Sequence, residues 1–355
     1  MNATGIKRLA PAACGLLAGL VLALVASGTR AAEPAPLFAS DDVLDMTLAV
    51  PLRTLIRGRT RRPEVEGTLS YTEADGAVTE LDVEVRTRGR SRLELCSFPP
   101  LSVNLRRGQV AGMLFDGQNR LKLVTLCRDT PGYREYLELE YVIYRMYEQV
   151  SDFAYRVRPL RVQYLDSERG GDAEEAPAFF IEHQNGIAER VGMQAADVPG
   201  VPLAALRPEP LATYALFQYV IGNTDWSAIS AAEDDTCCHN GDVLTPADGS
   251  TGAVVVPYDF DQAGLINTAY AAPHEDLPIR SVTQRLFRGF CATNELLDAT
   301  VEKFNTARPA MEALLDAAAL RDRTRADALQ FLAGSYEILN DPEQRQREIV
   351  DRCRG

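Results

Sequence analysis

The amino-acid sequence predicts an α+β fold of two lobes, a β-rich N-terminal lobe followed by a mostly helical C-terminal lobe. Three observations point there. Residues 68–126 alternate apolar and polar side chains between turns, the chain after Pro210 carries apolar residues at helical spacing, and the two kinds of segment do not interleave as a doubly wound sheet requires. With 355 residues, 46% apolar and 25% charged, the chain has the composition of a globular protein able to bury a sizeable core. No repeat of solenoid period and no tract of biased composition occurs.

The elements follow in order. Lys7 and Arg8 precede an apolar run over residues 16–26, and small residues flank Ala31, the pattern of an export signal cut after Ala31. The run falls short of the ~20 apolar residues that a membrane span needs. Residues 1–31 are thus read as a signal peptide, 33–182 as the β-rich lobe and 183–355 as the helical lobe, in a protein of the periplasm or the cell exterior with no transmembrane segment after the cut. Period-two alternation predicts strands over 68–72, 77–88, 101–105 and 121–126. Residues 133–149 have no Gly or Pro and apolar side chains on nearly every face, which predicts a largely buried helix. Strands over 155–165 and 178–181 come next, then a connector near 182–209. Helices are expected over 211–221, 282–290, 294–315 and 321–339, with one short strand over 253–256.

Charge and cysteine content narrow the function. The net charge of −13 becomes −16 once residues 1–31, with Lys7, Arg8 and Arg30 and no acid, are removed. Such a balance argues against nucleic acid or an anionic membrane as a general partner. Beyond the cut stand Cys96, Cys127, Cys237, Cys238, Cys291 and Cys353, an even set that reads as disulfides in an exported chain. Cys96 with Cys127 is the favoured pair, because the segment between them can return as a hairpin. The other four are expected to tie the Cys237–Cys238 excursion to the helical lobe through Cys291 and Cys353. Cys237-Cys238-His239 lacks the gap that lets two thiolates reach one zinc ion.

The most informative stretch is Asn223-Thr224-Asp225-Trp226, where an apolar helix ends in a polar turn holding the single tryptophan. His239-Asn240 follows, and then a β-branched strand that runs into Pro257-Tyr258-Asp259-Phe260-Asp261. An Asp, an Asn and a strand-end Asp in that order form the layout with which phosphoryl transfer supplies a carboxylate for the acceptor proton and an amide and a carboxylate for Mg²⁺. Upstream, lysine is scarce: past residue 31 it occurs only at Lys122 and Lys303, all other basic residues being Arg. Lys122 sits inside an apolar strand, where a compact ammonium has a purpose. Glu140 shares a helical face with Leu137 and Tyr144, so its carboxylate needs a partner, and a Lys122–Glu140 ion pair is the expected one. Arg86, Arg88, Arg90 and Arg92 at spacing two are expected to share one strand face opposite anions, and Arg57, Arg59 and Arg61 to form a solvated protective edge. His183, His239 and His274 are scattered, and His239 is read as a brace for Asn240.

These motifs resemble those of the CotH-like spore-coat kinases and, more distantly, the HipA-type kinases. Arg88-Gly89-Arg90-Ser91 resembles the element opening their phosphate-binding region, and Phe179-Phe180-Ile181-Glu182 the strand that enters the hinge between lobes. The resemblance implies a two-lobed protein-kinase-like fold in which Asp225 is catalytic. Lys122, Glu140, Arg88, Arg90 and Glu182 would then serve the nucleotide, and Asn240, Asp259 and Asp261 the metal. It implies Mg²⁺ with ATP or another nucleotide as cofactors, and an unidentified acceptor, whether protein, glycan or small molecule. The 15 positions between Asp225 and Asn240 require the intervening excursion to fold out and return. Two other classes stand beside this one: a kinase-like binding or structural module of the cell envelope without activity, and a phosphatase using Asp259-Phe260-Asp261 as a D-x-D motif, with Ala263 where such a motif has Thr or Val.

Overall fold

Strict alternation lays down the first strand. β1 (Leu44–Val50) buries Leu44, Met46, Leu48 and Val50 on one face and turns Asp45 to solvent. The structure is a computed structural model that describes residues 1–2, 35–73, 75–231 and 235–355. The export signal and the cut after Ala31 lie outside the described residues. Everything below concerns the described residues of Ala31–Gly355.

α1 (Leu52–Arg57) turns the chain into β2 (Val65–Thr72) and β3 (Val78–Thr87). The short α2 (Ser91–Leu95) precedes β4 (Leu101–Leu105), and α3 (Arg107–Val110) precedes β5 (Arg120–Thr125). α4 (Pro131–Glu148) leads to β6 (Val157–Asp166) and β7 (Glu174–Ile181). These seven strands close in the order β1-β2-β3-β4-β5-β7-β6. Every pair is antiparallel except the seam, where β1 runs parallel to β6 with Leu48 beside Tyr164. Inward side chains such as Leu48, Leu69, Val85, Val103, Leu121 and Phe180 fill the barrel as a packed core. Gly67 on β2 permits the close approach, since a Cβ there would stand 2.3 Å from the Ala49 carbonyl.

The closed mixed barrel overturns the expected two-lobed protein-kinase-like fold. The decisive element is β1, which lies upstream of the first strand read from the sequence and covers both open edges at once, joining β2 to β6. The expected arginine edge is also absent: Arg57 ends α1, and Arg59 donates to the Cys96 carbonyl at 3.0 Å.

Beyond the barrel, α5 (Gln184–Arg190) and β8 (Met193–Ala196) lie within the expected connector. β8 pairs with β9 (Gly241–Pro246), and β9 with β10 (Val254–Pro257), in a small antiparallel sheet. Helices α6 (Pro208–Val220), α7 (Leu297–Ala317), α8 (Asp322–Asn340) and α9 (Pro342–Glu348) complete the chain. α6 is apolar all round and is enclosed, with Tyr214, Phe217 and Val220 fully buried. α4 packs between barrel strands β6 and β7 and helix α7, so the outer barrel wall and the C-terminal helices share one core. Residues 282–290, expected as a helix, are irregular: Arg285 stacks on Phe331 at 3.8 Å and Arg288 donates to the Trp226 carbonyl at 2.9 Å.

Three disulfides form among the described residues, a chemistry that persists in oxidising compartments. Cys96 joins Cys127. The expected tie from Cys237 and Cys238 to Cys291 and Cys353 is replaced by Cys237–Cys238 and Cys291–Cys353. Backbone bonds from Cys237 to Val198 and from Cys238 to Gly241 hold the first pair in its own loop, away from the chain terminus. No described helix is long and apolar enough to cross a membrane.

Candidate active site

The register of β9 and β10 sets two of the candidate residues side by side. Pro257 faces Gly241, and one step further Tyr258 N–H donates to the Asn240 carbonyl at 3.1 Å, so Asn240 and Asp259 emerge at the same end of the ladder. Both hold left-handed backbone, with φ of 55° and 62°, a conformation that non-glycine residues adopt at a cost and that concentrates at functional sites. Tyr144 of α4 fixes the second of them by accepting Asp259 N–H at 2.9 Å.

Asp225 reaches the same place from the other direction. α6 ends at Val220, and two residues on Gly222, with a φ of +67°, reverses the chain; a Cβ there would meet the Phe331 ring at 2.7 Å. Asn223 then accepts Asp225 N–H at 3.0 Å and receives no freedom itself, its amide donating to Gln218 at 3.0 Å. The excursion that follows does return: Asn240 Nδ2 donates to the Asp225 carbonyl at 2.7 Å and to Asp225 Oδ2 at 3.0 Å, and His239 Nε2 donates to Oδ1 at 2.7 Å. Burial alone would raise the Asp225 carboxyl, yet the bonds from His239 and Asn240 outweigh it and hold the group below its ordinary value. The same bond raises His239. His239 is therefore a partner of Asp225 as well as the neighbour of Asn240.

The metal-type carboxylates meet a residue that sequence reasoning saw only as one of a row. β3 stops at Thr87, Gly89 takes φ +91° and α2 begins at Ser91, so Arg86, Arg88, Arg90 and Arg92 do not share a strand face. Arg92 turns inward instead. Its guanidinium grips Glu140 through Nη1 at 3.0 Å and Nη2 at 3.3 Å, contacts Asp259 through Nη2, and reaches Asp261 through Nε at 3.3 Å. Arg92, Glu140 and Asp261 are buried, whereas the Asp259 side chain remains 30% exposed. Desolvation raises Glu140 against the pull of Arg92. It also raises Asp261 to about 7, with the charges of Asp259 and Glu140 adding to the effect. Tyr270 donates to Asp261 Oδ2 at 3.2 Å.

Lys122 is not the partner of Glu140. It points outward from the barrel wall and meets Asp242 of β9 at 3.3 Å, with its ammonium 4.0 Å from the centre of the Tyr258 ring and 5.5 Å from that of Tyr155. Tyr155 donates to the same Asp242 oxygen. Desolvation lowers Lys122, and Asp242 opposes it. The expected Lys122–Glu140 pair is thus two pairs, Lys122–Asp242 and Arg92–Glu140. Asp242 could have been suspected from its position two residues after Asn240, at the start of the strand that follows.

The remaining candidates divide. Arg88 is half-buried, and its positive charge acts on both Glu140 and Lys122. Arg90 is exposed and pairs with Asp235 at 3.0 Å. Glu182 is buried and already occupied, accepting from Arg190 Nη2 at 3.0 Å and from Arg156 N–H at 3.1 Å. His183 caps α5 by accepting Asn185 N–H. Chemically, the assembled group offers an ionised carboxylate at Asp225, an amide at Asn240 and a partly exposed carboxylate at Asp259, with the Lys122 ammonium over the ring of the adjoining Tyr258. No protein-family model and no curated protein matches this chain.

Proposed function

We propose that the cluster of Asp225, Asn240 and Asp259 binds a magnesium nucleotide and passes a phosphoryl group to an acceptor hydroxyl. The reading concerns the cluster and not the fold. The observation that carries it is the convergence of three separate segments: Asp225 is hydrogen-bonded to Asn240, and Asn240 is paired through its carbonyl to the residue preceding Asp259.

The donor set suits a hard ion. Asn240 spends its Nδ2 on Asp225 and keeps Oδ1 for another partner, and Asp259 keeps a carboxylate oxygen beyond its contact with Arg92. Among the described residues no three His, Cys, Asp or Glu side chains converge as a metal-holding group. That is compatible with Mg²⁺, which commonly takes one or two protein oxygens and completes its shell with water and phosphate. Asn240 and Asp259 would hold it, with Asp261 behind them. When bound, the ion supplies neutralisation of the phosphate charge. In this reading Lys122 and Arg88 approach the phosphates, Glu140 positions Arg92, and Arg92 orients Asp259. Asp225, ionised and held by two donors, orients the acceptor hydroxyl and takes its proton. The three disulfides support placing this chemistry in the periplasm or outside the cell, with the acceptor open among protein, glycan and small molecule.

One observation favours a second reading, a binding or structural module without turnover: Arg92 by itself already gives Glu140, Asp259 and Asp261 a cationic partner. β10 lies in an antiparallel sheet and not at the opening of an α/β domain, so nothing supports the D-x-D phosphatase. Calorimetric titration of the purified protein with ATP, with and without Mg²⁺, separates the first two. Asp259→Ala should abolish metal-dependent binding, while Asp225→Ala should retain it and lose turnover by about a hundredfold or more, the usual scale for a proton-accepting group. If the parent binds no nucleotide at millimolar Mg·ATP, or both variants bind as the parent does, the module reading replaces this one.

A further inference from the structure

The barrel has a second candidate site, which shares no residue with the cluster above. One end of the barrel, where β5 and β6 finish and β4 and β7 begin, opens into a cavity of about 750 Å³ roofed by α1. That volume lies within the range of roughly 300–1,000 Å³ typical of small-molecule sites, and barrel mouths are a recurrent place for them. Its apolar wall is formed by Ile56, Phe98, Leu126 and Tyr164. The wall is fixed in advance: the Cys96–Cys127 disulfide joins the strands' approaches, Phe98 N–H donates to the Cys127 carbonyl at 3.2 Å, and the Phe98 and Tyr164 rings pack at 4.8 Å. A preformed wall lowers the ordering cost of binding.

The polar groups of the cavity are unequally satisfied. Arg53 and Arg57 lie one helical turn apart on α1, both line the cavity, and neither has an acidic or hydrogen-bond partner among the described residues. Of the lining acids, Asp129 is held by Arg134 at 2.7 Å, Asp166 accepts the Leu52 and Glu168 amides at 3.2 Å, and Glu175 accepts from Gln163 at 2.6 Å. Only Glu174 among them is unengaged within the described residues. Tyr164 gives the wall its ring alone, because its hydroxyl has almost no accessible surface. The cavity thus sets two exposed guanidinium groups without an acidic partner beside an apolar surface.

We propose that this barrel-end cavity binds a small amphipathic carboxylate, its apolar body against Phe98, Leu126 and Ile56 and its carboxylate on Arg53 and Arg57. The site is independent of the nucleotide reading, since the two share no side chain and either can fail alone. The test is displacement of anilinonaphthalenesulfonate fluorescence from the full chain. Decanoate should displace the probe saturably, whereas decanol and decyltrimethylammonium should do so at least about tenfold less well, the scale of one lost charge-assisted contact. Arg53→Gln with Arg57→Gln, both at exposed positions, should weaken decanoate by about tenfold or more with an unchanged melting temperature. Glu174→Gln should not weaken it. Equal displacement by the cationic amphiphile, or undiminished decanoate binding in the arginine double variant, overturns the proposal. So does a parent that binds no decanoate.

Discussion

Arg92 decides the electrostatics of the candidate active site. Its guanidinium touches Glu140, Asp259 and Asp261, so one positive charge offsets three carboxylates in a largely buried place. Removing one member of such a group leaves the others desolvated and unpaired, which typically costs about 3 to 5 kcal/mol. Arg92→Ala should therefore lower unfolding stability by that order in urea titrations without added metal. Arg92→Lys should recover only part of it, because an ammonium cannot reproduce the bidentate grip on Glu140. A loss of under about 1 kcal/mol would mean that water, and not Arg92, satisfies the carboxylates.

Between elements, Glu135 of α4 ties the start of α8 to the barrel's neighbour. It accepts both Arg321 N–H and Arg321 Nε at 2.9 Å. The bond from the Arg321 side chain depresses the Glu135 carboxyl from 4.5 to about 2, despite the opposing effect of burial. A carboxyl depressed by folding contributes stability that is present above its unfolded value and is lost as pH falls through its folded one. The contribution of Glu135 should thus disappear between pH 4.5 and about 2. Glu135→Gln should flatten the pH dependence of the urea midpoint in that window, and an unchanged profile would count against the tie. The disulfides sort by loop length. Cys291–Cys353 spans 62 positions, which chain entropy alone values at about 4 kcal/mol, whereas adjacent Cys237 and Cys238 close no loop of consequence. Replacing Cys291 and Cys353 together by Ala should lower the denaturation midpoint far more than the same exchange at Cys237 and Cys238.

For the molecule as a whole, closure of the barrel rests on β1. Leu48 is fully buried and stands between Leu69 on one neighbouring strand and Tyr164 on the other. Leu48→Ala removes buried methyl groups at the seam and should destabilise by about 2 to 5 kcal/mol. Hydrogen exchange should then show accelerated opening in β6 as well as β1, because the two strands share their ladder. Exchange confined to β1 would show that the seam is an appendage and not the closure. Tyr164 also lines the barrel-end cavity, so the same seam shapes the proposed carboxylate site.

Local patterns were enough for most of the elements. Alternation announced β2 to β7, and the apolar faces of α4, α6, α7 and α8 were legible because each periodicity is written within one segment. β1, β8 and β9 were not, although Leu44, Met46, Leu48 and Val50 alternate as clearly as any strand. The helix expected over 282–290 failed because Arg285 and Arg288 satisfy carbonyls of other segments instead of facing solvent. The same division runs through the site. Asp225, Asn240 and Asp259 could be singled out from residue type and order, and Cys96 with Cys127 from the hairpin between them. The partners of the charges could not. Lys122 meets Asp242 and Glu140 meets Arg92 because the turn at Gly89 swings Arg92 inward while β9 brings Asp242 against the barrel wall. Which opposite charges meet is settled by desolvation and packing among segments far apart in the chain. Sequence alone therefore determined which groups need partners and the period of each element. Tertiary structure decided the pairings and the closure of β1 on β6, since these depend on contacts between residues 48 positions apart for Arg92 and Glu140, 120 for Lys122 and Asp242, and more than 100 for β1 and β6, for which no local pattern exists.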